Sequence, residues 1–136
     1  MKRSILAFFC GLLAWILIVS ILDRALRVLI DGYSAAEPHL TFTLPMMAAR
    51  LTMAAVTSLL AGAVVGAVAP SSARTPWALG LLVLAAFLPE HIYVWNQLPV
   101  WYHLTFLLTL VPLVVIGARL PRALGVAKRE VLTSPP

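Results

Sequence analysis

Residues Thr43–Pro70, TLPMMAARLTMAAVTSLLAGAVVGAVAP, decide the fold. Thr43 is suited to cap a helix with Pro45 in its first turn, and Pro70-Ser71-Ser72 is suited to end it. Between them stands one charged residue, Arg50. The run Leu44–Ala69 is long enough, at about 1.5 Å per helical residue, to cross a hydrocarbon core of about 30 Å. Lipid offers no partners to open backbone groups, so such a run is read as a transmembrane helix.

Three more runs repeat the pattern on either side: Ser4–Leu22, Trp77–Trp95 and Leu98–Ala118. Each holds about 19 residues or more, the length a spanning helix needs. The expected fold is therefore all-α: a polytopic integral membrane protein of four transmembrane helices in an antiparallel up-down bundle. The helices are placed near residues 4–30, 44–69, 76–96 and 98–118, within one domain over residues 1–119. A basic tail over residues 120–136 is expected on the cytoplasmic surface, with its Ser134-Pro135-Pro136 end disordered.

Composition points the same way. Hydrophobic residues make up 62% of the 136-residue chain and charged residues 11%, against about 25% charged in a typical soluble domain. Mean hydropathy is +0.98. The net charge of +5 comes without a basic patch interleaved with aromatics, so nucleic acid is not an expected partner. The single cysteine, Cys10, leaves no internal disulfide and no thiolate cluster. Met1-Lys2-Arg3 before an apolar run resembles a signal peptide, but the run is long for one and is followed by Asp23-Arg24-Ala25 rather than a small-residue cleavage site. It is read as a retained first helix.

Basic residues set the orientation. With the N-terminus inside, Lys2, Arg3, Arg74, Arg119, Arg122, Lys128 and Arg129 lie inside, against Arg24, Arg27 and Arg50 outside. That asymmetry places both termini in the cytoplasm. Tyr33, Tyr93, Trp95, Trp101 and Tyr102 fall at outer ends, as an interfacial belt does. Helices 3 and 4 meet in a tight hairpin at Asn96-Gln97-Leu98-Pro99. Pro112 should kink helix 4 and free the carbonyl of Leu108, with Thr109 nearby to satisfy it.

Helix 2 repeats small residues every fourth position: Ala54, Ser58, Gly62 and Gly66. Such a stripe lets two backbones approach closely. It is expected to pack on helix 1 or helix 3, with Ala7, Gly11 and Ala14 as a complementary face, or alternatively to join two copies of the chain.

The ionisable residues gather in one outer layer. Asp23, Arg24 and Arg27 from helix 1, Arg50 from helix 2, Glu90 and His91 from helix 3, and His103 from helix 4 lie at similar depth. The spacing Asp23-Arg27-Asp31 suits i,i+4 ion pairs. Charges inside a membrane turn inward and pair, so Asp23 is expected on Arg27 or Arg50, and Glu90 on Arg50 or Arg24, with Arg50 touching at least one of the two carboxylates. The layer is read either as a clamp fixing helix order or as a binding site. His39, His91, His103 and Glu90 are nitrogen and oxygen ligand types, but no tight ligand spacing joins them. Adjacent hairpin helices also leave no slot for a haem between His91 and His103, so no metal or cofactor is expected.

No nucleophile elbow, phosphate loop or Cys-x-x-Cys occurs. The expected function is a small, non-enzymatic accessory or interaction subunit, and the Ala-, Leu- and Arg-rich wording suggests a bacterial inner membrane. Its expected partners are the bilayer, a larger membrane protein or a second copy. The alternative is a small oligomeric transporter or channel acting through Asp23, Arg50, Glu90, His91 and His103.

Overall fold

The computed structural model describes residues 1–125; Lys128, Arg129 and the Ser134–Pro136 end of the tail lie outside the described residues. Among these the chain is helical throughout, with no strand. Four helices are long and apolar enough to cross a membrane: α1 (Lys2–Leu29), α3 (Leu44–Val68), α4 (Arg74–Tyr93) and the span Val100–Ala123, made of α5 (Val100–Gly117) and the short α6 (Leu120–Ala123). Between α1 and α3 lie a helical turn, α2 (Tyr33–Ala36), and a 3-10 turn over Glu37–His39.

The boundaries follow local chemistry. α3 starts after Thr43 in extended conformation with Pro45 in its first turn, although the Thr43 side chain makes no capping bond. α4 starts one residue before Thr75-Pro76, and the Ser72 hydroxyl accepts the backbone N–H of Thr75 at 3.4 Å. Pro89 lies inside α4 and Pro112 inside α5, each within continuous helix. Thr109 does not turn to the carbonyl that Pro112 frees. Its hydroxyl donates to Thr105 O at 2.7 Å and Phe106 O at 3.2 Å, the back-bonding reach of a helical threonine.

Around the bundle, α1 packs on α3, α3 on α5, α5 on α4, and α4 more lightly on α1. A central apolar column runs through Ala7, Trp15, Ala61, Val65, Leu79 and Val114. The outer faces carry large apolar side chains such as Leu6, Phe9, Leu13 and Leu17 of α1, the surface a bilayer solvates.

The glycines of the small-residue stripe settle on a helix that was not among those expected. A Cβ added to Gly62 would collide with the carbonyl oxygen of Val114, and one on Gly66 with the carbonyl of Ala118. From the facing side, Gly117 would meet the carbonyl of Leu59. Three glycines thus bring α3 and the end of α5 to backbone contact. Towards α1 the stripe offers Ser58, whose Oγ accepts from Trp15 Nε1 at 3.4 Å, while Gly11 of α1 approaches Val65 of α3 and Leu79 of α4. Ala7 and Gly11 are buried, whereas Ala14 is half-buried.

Candidate functional site at the Arg50 end of the bundle

The chain from Ile30 to Thr43 folds back over one end of the bundle instead of looping free. Gly32, at φ +78°, supplies the left-handed residue that turns the chain after α1, and Leu40 at φ +53° turns it again before α3. Backbone bonds from Ala36 N–H to Gly32 O (3.0 Å) and Thr41 N–H to Ala36 O (3.1 Å) close the segment. Tyr33, Ala36 and Phe42 are thereby buried with Met46, Met47 and Tyr102 in a second apolar cluster.

This fold carries the Tyr33 phenol to Arg50. Arg50 Nη1 donates to Tyr33 Oη at 2.9 Å and Nε to Tyr102 Oη at 3.1 Å. The guanidinium also sits over the Phe42 ring, 4.7 Å from its centroid, in a cation–π contact. Its nearest carboxylate is Glu37, at 4.0 Å. Burial pushes the Tyr33 phenol above its ordinary range, while the charge of Arg50 pulls it back down.

The expected partners of Arg50 are elsewhere. Among the described residues no ion pair joins Arg50 to Asp23 or Glu90. Asp23 Oδ2 is taken by Arg27 Nε one helical turn away, at 2.8 Å. Arg27 continues in a fork onto Glu37, with Nη1 to Oε2 at 2.8 Å and Nη2 to Oε1 at 2.9 Å. Asp31 lies beyond the end of α1, so the third member of the expected stripe is Glu37 instead. Glu90 is exposed because α4 turns its neighbour His91 inward, and successive helical residues point about 100° apart. Arg24 is exposed on α1. A relay Asp23–Arg27–Glu37 therefore reaches the edge of Arg50, which the two phenols tie to α5 and the connecting segment.

Tyr33 and Tyr102 do not belong to an interfacial belt, being 0% and 2% exposed, whereas Tyr93, Trp95 and Trp101 are exposed. The two tyrosines and Glu37 are the members of this network that the charge pattern in the sequence did not reveal.

His91 and His103 do meet. Their Nδ1 atoms lie 2.8 Å apart, so one ring donates to the other. Both are buried, and Trp95 stacks on His103 at 4.8 Å between centroids. His103 Nε2 is buried with no hydrogen-bond partner among the described residues. His39 is exposed on the 3-10 turn, and among the described residues no three His, Cys, Asp or Glu side chains gather as a metal-ligand set.

Beneath this network is a cavity of about 270 Å³, reached by all four spanning helices. Trp15, Ala54, Phe87 and Phe106 form its apolar wall, and Ser20, Asp23, Arg50, Glu90, His91 and Tyr102 its polar one. The aromatic wall is continuous: Trp15 and Phe87 lie 5.2 Å apart, Phe87 and Phe106 5.4 Å, and Phe106 and His91 4.5 Å. Four of the five residues of the alternative transport reading line this cavity; His103 stands behind His91. Comparison with protein-family models, with curated proteins and with solved structures finds no match to this chain.

Proposed function

We propose that the protein is a small, non-enzymatic integral membrane protein that serves as an accessory or interaction subunit. Its four helices cross the membrane in antiparallel order, with both termini on the cytoplasmic side of a bacterial inner membrane. One observation carries the reading: the ionisable groups at the Arg50 end bond mainly to one another. Arg27 holds Asp23 and Glu37, and Arg50 holds Tyr33 and Tyr102. Such a network fixes the bundle's end and presents a defined surface. The column below it is apolar, its buried polar side chains being Thr57, Ser58 and Thr75, which favours support over conduction. The cytoplasmic placement rests on the seven basic residues named above against three.

The cavity favours a second reading, an oligomeric transporter using Asp23, Arg50, Glu90 and His91. Reconstitution separates the two. The accessory reading expects a monomer in mild detergent and vesicles no leakier to protons or small ions than protein-free ones. Flux that disappears in Arg50→Lys would overturn it in favour of transport. Since Gly62 and Gly66 are covered by α5 of the same chain, a dimer formed through the α3 stripe is not part of the proposal.

A further inference from the structure

The cavity at the Arg50 end has a side entrance. Of its lining residues, Ser20 of α1 and Glu90 of α4 are exposed while Trp15, Ala54, His91, Tyr102 and Phe106 are buried. The mouth therefore lies between α1 and α4, helices that touch each other more lightly than they touch their other neighbours. In a spanning bundle that mouth faces lipid.

The charges around it are of two signs and are incompletely matched. Arg50 uses Nε and one Nη1 hydrogen on the neutral phenols, and Nη2 makes no hydrogen bond among the described residues. Phenols satisfy donors without cancelling charge, and Glu37, 4.0 Å from Nη1, is shared with Arg27 and offsets it only in part, so the guanidinium remains a seat for an anion. Glu90, at the mouth, has no cation within 4.0 Å among the described residues, and a carboxylate within a spanning helix calls for a cationic partner. At about 270 Å³ the space falls just below the ~300 Å³ at which pockets hold whole drug-sized ligands. That size suits the head of a larger amphiphile whose chains stay outside.

We propose that this cavity receives the headgroup of a phospholipid bearing both a phosphate and a primary ammonium, with the phosphate on Arg50 and the ammonium on Glu90. A purely anionic headgroup would satisfy Arg50 but be repelled by Glu90. A choline headgroup carries the charge but has no N–H to donate to the carboxylate. The inference rests on the bundle spanning the bilayer, as proposed above, and is independent of the choice between accessory and transporter.

The test is lipid retention. The protein is reconstituted with equimolar ethanolamine, choline and glycerol phospholipids, re-extracted in mild detergent, and its bound lipid counted by native mass spectrometry. One ethanolamine lipid per chain is expected, favoured by about tenfold over each of the others, the factor one charge-assisted hydrogen bond supplies. Glu90→Gln, at an exposed position, should keep the unfolding temperature in lipid-free detergent while losing that preference over the glycerol lipid. Water-soluble phosphoethanolamine should not displace the lipid. Equal retention of the three lipids, an unchanged preference in Glu90→Gln, or displacement by the soluble headgroup would each overturn the proposal. Protease protection of the reconstituted chain, measured on the same vesicles, shows separately whether the bundle spans.

Discussion

At the scale of single residues, the clamp depends on two phenols that look unremarkable in sequence. Tyr33 holds its proton more tightly in the fold because burial outweighs the opposing pull of Arg50. A group whose folded pKa is raised contributes stability that is complete below its unfolded value, ~10 for tyrosine, and is lost as pH rises beyond it. Unfolding in detergent followed from pH 8 to 11 should show the wild type losing its advantage over Tyr33→Phe as pH passes ~10. Parallel curves would show that the phenol is not buried against Arg50. The shared depth of His91 and His103 was legible on either side of the hairpin, but not that their rings would hydrogen-bond. The clamp's partners were not. The reading that buried charges pair sends Arg50 to a carboxylate, and Asp23 and Glu90 lie at the right depth. Which carboxylate is free is decided by Arg27, one turn from Asp23, and by the inward turn of His91. Which phenol arrives is decided by two left-handed residues, Gly32 and Leu40, in a segment with no hydrophobic period to read.

At the scale of elements, spacing revealed the close approach of α3 but not its partner. Ala54, Ser58, Gly62 and Gly66 mark the stripe, and any helix with a small residue at the matching height could have met it. Gly117 answers from α5, with the carbonyls of Val114 and Ala118 lying over the stripe. A lone glycine at the end of its helix, two positions before Arg119, carries no repeat and so stands out in no spacing pattern. Because the obstructing atoms are backbone, neither helix can yield by changing a rotamer. Gly62→Leu and Gly66→Leu should each lower stability by about 1–3 kcal/mol or more. Gly80→Leu should cost less, since its nearest obstacle is Val111 Cα at 3.1 Å. Thermal unfolding of the three variants in one detergent checks the order. Equal tolerance at all three would mean that α3 and α5 do not touch there.

At the scale of the whole molecule, the four spans were the most legible feature, because length and apolarity alone define them. The observed helices begin and end within a few residues of the expected bounds, punctuated at Thr43-Pro45 and Pro70. Sidedness rests on charge asymmetry. Single cysteines at Ala35, exposed on α2, and at Ser134, introduced after Cys10→Ser, should react with a membrane-impermeant reagent on opposite sides, Ala35 from outside. Labelling of both from one side would contradict the proposed topology. Arg50 binds the connecting segment and α5 into one unit through hydrogen bonds to phenols rather than to carboxylates. The most direct measurement of this is a thermal-unfolding comparison in lipid-free detergent of wild type, Arg50→Ala, Glu90→Gln and the double change Tyr33→Phe/Tyr102→Phe, with the triple variant closing the cycle. Hydrogen bonds to a charged group contribute about 1.5–3 kcal/mol each. Marked losses are expected in Arg50→Ala and in the double tyrosine variant, strongly non-additive in the triple, with no loss in Glu90→Gln. A loss in Glu90→Gln that is shared with Arg50→Ala, while the tyrosine variant melts like wild type, would contradict binding through phenols.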